Sequence, residues 1–407
     1  MTGNRKGWVV TFSGVGINLA LGVLYAWSVI KAAIEAQIDK GAWNWDQASL
    51  NDPYAVALLV FAFVMIPAGR MLDRLGPRIT SSLGGILVGA GFVVVSLSNS
   101  LWVWILGFGV LAGSGIGLAY ASATPAAVKW FPARRTGLIA GLVVSGFGLA
   151  SAYIAPLATW MQSSLGIENS MLWLGVAFLI VVVVLSQILV NPPAGYDPET
   201  SAKGAGEKAA APQREYGWRE MMATPVFWLI WIIFFIGAGA GLMVIGAANK
   251  MARAAFAEQA WIALTVLAVG NAAGRVVAGV LSDRIGRRAT LRIMLSFQAL
   301  LIFSLVFVPE ESTLAILFMA TFLGFNYGSN LSLFPSITKD FYGLKNFGLN
   351  YGIVFTAWGV GGFVLARFSQ MLVKQTGSLR TSCIMAGVLL VCGVILTLAL
   401  KAPRRRG

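Results

Sequence analysis

The chain contains no histidine, which removes the commonest metal ligand and the commonest general base. It has only two cysteines, Cys383 and Cys392. Nine residues apart on one helix, they stand about 13 Å from each other, too far for a mutual disulfide. Small apolar packing residues is their simplest reading. Charge is scarce too: Asp, Glu, Lys and Arg make up 11% of the chain, against about 25% in a soluble domain. Acids are the rarer sign, sixteen against thirty basic residues, for a formal net charge of +14. No metal or cofactor is expected from this inventory.

What fills the chain is apolar sequence, 57% of residues, with a mean hydropathy of +0.77. Twelve apolar spans begin near Trp8, Tyr54, Ile79, Leu101, Thr136, Met171, Phe227, Ala260, Leu291, Thr313, Gly348 and Thr381. Each runs for about 20 residues, enough to cross a bilayer. The first is too long for the apolar core of a cleavable signal. The expected fold class is therefore an all-α membrane protein of twelve transmembrane helices. Between the spans, basic residues alternate in density: 22 of the 30 fall on one side and six on the other. The positive-inside rule then places both termini in the cytoplasm, in a plasma or bacterial inner membrane. The basic excess is a topology signal, so the expected surroundings are the lipid bilayer and nucleic acid is not an expected partner.

The one long polar stretch, Asn191 to Glu220, is rich in Ala, Gly, Pro and charge and reads as a linker. The expected division is a six-helix bundle over 1–192, a cytoplasmic linker over 193–222 and a second six-helix bundle over 223–407. Glu215 to Met222 is expected to form a short interfacial helix, and Thr224-Pro225 to cap the next span. The two halves repeat. After the second span the chain reads Gly69-Arg-Met-Leu-Asp73-Arg74-Leu-Gly76, and after the eighth Gly279-Val-Leu-Ser-Asp283-Arg284-Ile-Gly286. Glycine there lets helices approach and turn tightly, and the aspartate is positioned to pair with loop arginines and hold one conformational state. Parallel repeats imply a pseudo-two-fold axis along the membrane normal and a site between the halves.

One residue stands out against the apolar background. Arg275 is the only charge in the run from Trp261 to Leu281. Asp283 lies about 12 Å further along the helix, beyond easy reach of a guanidinium. An intramembrane arginine costs roughly 2.5–3.5 kcal/mol on insertion scales, so it is expected to face a polar cavity and bind an anion. Bonding to backbone carbonyls is the structural alternative.

The paired loop motifs, in two six-helix halves, resemble the major facilitator superfamily over nearly the whole chain. The resemblance implies rocking of two bundles about a central site. Gly22-Val-Leu-Tyr25-Ala26-Trp27 is similar to the first-helix signature of monocarboxylate transporters. Lys129-Trp130-Phe131-Pro132 through Gly141, Thr224-Pro-Val-Phe227-Trp228 and Leu333-Phe334-Pro335-Ser336 resemble the monocarboxylate transporter and oxalate/formate antiporter branch. Arg275 then takes the position of that branch's carboxylate-binding arginine, a sensible choice because a planar guanidinium grips a carboxylate with two bonds. Asn271, one turn before it, stands where animal monocarboxylate transporters carry an aspartate; it can orient Arg275 but cannot carry a proton. Trp358 stands where oxalate/formate antiporters carry a second cation, which argues against a dicarboxylate. The cavity implied by the resemblance adds Tyr120 and Tyr327 as hydroxyl donors and Leu24, Leu142, Phe355 and Trp358 as an apolar wall.

All sixteen acids fall in loops or at span edges, so no side chain at mid-membrane is an evident proton carrier. The expected function is transport of a small monocarboxylate, lactate or pyruvate, with a proton, by a monomer. The competing reading is oxalate/formate-type anion exchange. A drug exporter would carry a Gly-Pro pair where this chain has Ser145-Gly-Phe-Gly148. A membrane enzyme lacks the necessary base or paired carboxylates, and a receptor lacks any signalling domain.

Overall fold

A computed structural model describes residues 3–46, 49–196, 198, 215–256, 260–307, 312–376 and 378–403. The helices are α1 (Arg5–Asp39), α2 (Asp52–Leu75), α3 (Pro77–Ser96), α4 (Leu101–Val128), α5 and α6 (together Thr136–Ser186), α7 (Pro225–Phe256), α8 (Ala260–Ile285), α9 (Arg287–Ser304), α10 (Thr313–Tyr342), α11 (Phe347–Thr376) and α12 (Leu379–Ala399). Among the described residues, eleven unbroken apolar helices are long enough to cross a membrane. The longest, Ala133–Ser186, runs 54 residues and turns back at Gly166, where φ is +79°. That conformation favours glycine, which has no Cβ to clash. One residue thus replaces the loop expected between the fifth and sixth spans, and the chain carries twelve transmembrane helices in two bundles.

Other local departures from the expected pattern have physical causes. α1 tightens into a 3-10 turn at Gly22–Ala26, and Tyr25 within that turn reaches across to Tyr327 in the second half. α4 contains a π-helical stretch over Ile105–Ala112. Pro67, Pro125, Pro156 and Pro335 lie inside continuous helices. The single backbone bond that each proline removes is tolerable where neighbouring helices shield the gap. Most of the expected linker, including 199–214, lies outside the described residues. Its end forms a helix only over Trp218–Met222. Thr224 does cap α7, its hydroxyl accepting the Phe227 N–H at 3.3 Å, with Pro225 as the first helical residue.

Small residues set where the halves meet. A methyl at Gly69 would run into the Gly348 carbonyl, and one at Gly137 into the Gly279 carbonyl. The α2–α11 and α5–α8 seams therefore close backbone to backbone, at equivalent places in the repeat. The α8–α10 pair inside the second half is equally tight, since Gly274 faces the Phe325 carbonyl and Gly328 the Asn271 carbonyl. With α8 pressed between α5 and α10, the fourth-residue stripe of Asn271 and Arg275 has nowhere to go but the interface between halves.

Candidate functional site

Arg275 is fully buried and Asn271 is 1% exposed. The Arg275 Nε–H donates to Asn271 Oδ1 at 2.9 Å, one helical turn away. One terminal nitrogen donates to the Val144 carbonyl on α5, and the other reaches the Tyr25 hydroxyl on α1 at 3.5 Å. The guanidinium also lies 6.0 Å from the centre of the Phe147 ring. α5 comes this close because Gly141 and Gly148 face α8; a methyl at Gly148 would crowd Asn271 Oδ1 and Arg275 Nε at 3.0 and 3.1 Å. Among the described residues no carboxylate is within ion-pair distance of Arg275. Its charge is solvated by neutral oxygens and ring faces alone, a site that an entering anion would complete.

The network continues across the halves. Tyr25 and Tyr327 share a hydrogen bond of 2.8 Å, and the Trp358 indole N–H donates to the Tyr327 hydroxyl at 2.8 Å. Phe355 stacks on Trp358 at 5.0 Å and meets Tyr120 at 5.5 Å. The hydroxyls of Tyr120 and Tyr351 neighbour each other without meeting hydrogen-bond geometry. The fold thus brings Arg275, Asn271, Tyr120, Tyr327, Phe355 and Trp358 together. Leu24 is buried in the core, whereas Leu142 is partly exposed on α5. Of the two amides beside Tyr327, Asn330 bonds across to Gln298 on α9 at 3.3 Å, while Asn326 bonds back to Phe322 on its own helix.

Three contributors were not legible beforehand. Phe61 on α2 sits at the centre of the aromatic cluster, 5.3 Å from Tyr120, 5.1 Å from Phe355 and 5.2 Å from Trp358. Phe147 and the Val144 carbonyl hold the guanidinium itself. A phenylalanine in an apolar span, or a backbone carbonyl, gives no sequence signal. Tyr25 carried a signal, its hydroxyl in an apolar span, but its partner is set by tertiary packing.

On the basic side the two loop motifs work as helix caps. Asp283 accepts the Gly137 and Leu138 N–H groups at the start of α5, at 2.9 and 2.8 Å. Asp73 accepts the Leu349 N–H at the start of α11, at 3.2 Å. A carboxylate at a helix N-terminus satisfies orphan donors and meets the positive end of the helix dipole. Arg74 and Arg284, the arginines next in sequence to the two aspartates, are exposed to solvent. Asp283 does pair with an arginine of its loop, Arg287 at 2.6 Å, which also holds Asp340 on α10 at 2.7 Å. Gly76 and Gly286 have φ of +82° and +91°, allowing α2 and α8 to stop and reverse at once. These caps, with the glycine seams, seal the basic side.

The linker's end adds a strap to this seal. The Glu215 carboxylate accepts the Leu344 and Lys345 N–H groups of the α10–α11 turn at 3.2 and 2.7 Å. The Tyr216 N–H donates to the Tyr342 carbonyl at 3.0 Å, and its carbonyl accepts from Asn346 and Asn350. Lys129, from the first half, feels both carboxylates: burial pushes its pKa down, and the charges of Asp73 and Glu215 oppose that shift. Glu215→Gln is expected to speed amide exchange at Leu344 and Lys345 by roughly fivefold, the size of a solvent-exposed hydrogen bond. Exchange measured residue by residue checks this, and unchanged protection at both amides refutes it.

The Major Facilitator Superfamily model matches residues 10–252 and 241–407. The chain belongs to the Major Facilitator Superfamily. The superfamily's members are transporters, so the chain is an integral membrane transporter and not an enzyme. Among curated superfamily relatives it is 29% identical to the uncharacterized MFS-type transporter YhjX of Escherichia coli K12, covering 88% of this chain and 86% of the relative. It is 25% identical to the oxalate:formate antiporter of Oxalobacter formigenes, covering 83% and 77%. It is 27% identical to monocarboxylate transporter 13 of Rattus norvegicus, covering 96% and 89%. Among solved structures of the superfamily, the proton:xylose symporter XylE superposes with a TM-score of 0.74 at 13% identity, over 98% of this chain and 96% of XylE. That likeness concerns the fold alone.

Proposed function

We propose that the chain transports small monocarboxylates of the lactate and pyruvate class with a coupled proton, by alternating access, and that Arg275 binds the substrate carboxylate. The observation that carries this reading is a fully buried guanidinium with no carboxylate partner among the described residues, set in an aromatic cluster between the halves. One cation balances one carboxylate. Trp358 supplies an indole N–H and an apolar face where a second cation would be needed for a dianion. The relatives named for monocarboxylates and for oxalate and formate support the substrate class. Asn271 holds Arg275 in place without titrating. The proton therefore travels on the substrate, on water, or along the Tyr25–Tyr327 pair.

In the same reading the basic side is the cytoplasmic side of the inner membrane, with both termini on it. The working unit is a monomer of two bundles, 1–192 and 223–407, joined by 193–222. The structure then corresponds to the state closed toward the cytoplasm.

Uptake of labelled L-lactate into proteoliposomes tests the proposal. An inward proton gradient is expected to stimulate uptake. Uptake that ignores the gradient but requires preloaded formate or oxalate would replace symport with exchange. No uptake of lactate or pyruvate under either condition would overturn the substrate class.

A further inference from the structure

On the outer flank of the first half, α1 and the end of α6 enclose an apolar groove of about 440 Å³. One wall is α1 from Arg5 to Gly16, carrying Trp8 and Phe12; the other is Leu185 and Ile188. The Ser13 hydroxyl, the groove's one hydroxyl, is already spent on the Leu185 carbonyl at 2.7 Å. Phe12 is 61% exposed, so this surface faces outward from the bundle. From Arg5 to Gly16 the wall is about 16 Å long, which matches one leaflet of a ~30 Å hydrocarbon core. At the basic end stands Arg5, exposed and with no hydrogen-bond or ion-pair partner among the described residues. Its neighbour Lys6 is engaged over the Trp130 ring at 5.8 Å.

We propose that this groove binds one anionic phospholipid, with an acyl chain along α1 and the headgroup phosphate on Arg5. The shape selects a chain that enters from the basic leaflet and ends at mid-membrane. A single unpaired cation at headgroup depth selects a net negative lipid over a zwitterionic one. The wall is ordered independently of any lipid: Trp8 stacks on Phe12 at 5.9 Å and meets Phe131 edge-on at 5.2 Å. The site is separate from Arg275, and the proposal stands apart from the transport reading.

Native mass spectrometry of delipidated full-length protein tests it, with phosphatidylglycerol and phosphatidylcholine of identical chains as probes. The wild type is expected to retain one phosphatidylglycerol about fivefold more strongly than phosphatidylcholine, the preference of one basic residue near the surface. Arg5→Gln should erase the preference while leaving chain binding. Ser13→Leu, which fills the groove, should lower retention of both lipids; circular dichroism would confirm that the variant folds. Equal retention of the two lipids by the wild type, or a preference unchanged in Arg5→Gln, would leave only unselective boundary lipid and overturn the proposal.

Discussion

Arg275→Lys is expected to reduce proton-driven L-lactate uptake roughly a hundredfold, although the charge is kept. The guanidinium bonds three ways at once, to Asn271, Val144 and Tyr25, and still presents a planar edge between the halves. An ammonium is a point donor on a different stem and cannot hold those oxygens while gripping a carboxylate with two bonds. Losing one charge-assisted bond costs about 1.5–3 kcal/mol, and at tenfold per 1.4 kcal/mol this corresponds to a loss of roughly ten- to a hundredfold. We place the effect at the upper end because the site is fully buried, where water cannot substitute for the missing donor. Arg275→Ala should be at least as severe. Asn271→Ala should cost less, since it removes an orienting acceptor and leaves the cation. Initial rates in proteoliposomes at matched protein density decide the matter, with thermal unfolding as the folding control. A lysine variant that transports within a few-fold of wild type would remove Arg275 from substrate binding.

Asp283→Asn should open the basic side. The carboxylate caps two N–H groups of α5 and pairs with Arg287, and both side chains are under 10% exposed, so solvent screening is weak. An amide has one acceptor oxygen and no charge, and its NH₂ faces donors it cannot satisfy. We expect the closed state to lose about 2 kcal/mol, a shift of roughly thirtyfold in population. Spin labels at the exposed positions Arg134 and Arg284 should report a longer separation in the variant. Asp73→Asn, which loses one bond of 3.2 Å and, among the described residues, no ion pair, should shift the same equilibrium less. Equal effects at the two positions, or an unchanged label distance in Asp283→Asn, would contradict this account of the seal. The two copies of one motif are thus unequal for a reason visible only in three dimensions: Arg287 and Asp340 reinforce one cap among the described residues, and no matching pair reinforces the other.

The division between what sequence and structure decide follows from range. Helix number and the two-half repeat are local properties, because a bilayer demands about twenty apolar residues per crossing and each span satisfies its own backbone. Arg275 was conspicuous on the same ground, as a charge whose cost must be met somewhere in the interior. The stripe Asn271–Arg275 follows from helical spacing, and the hydrogen bond between them is as local as that spacing. The expected pairing with a loop arginine holds at Asp283, through Arg287, and among the described residues not at Asp73, while the backbone N–H groups that both carboxylates cap had no signal in the sequence. The donors that matter arrive from helices that lie far along the chain. Phe61 and the Val144 carbonyl were invisible for the same reason: apolar side chains and backbone oxygens acquire roles only when another helix is packed against them. The turn at Gly166 and the unbroken helices through four prolines also waited on the fold, since packing decides whether a weak backbone position bends or holds. By itself the sequence determined that this protein crosses the membrane in two repeated halves with one cation between them. Beyond Asn271, only the tertiary structure decided which oxygens and rings surround that cation, because those contacts join helices whose separation in sequence no local pattern encodes.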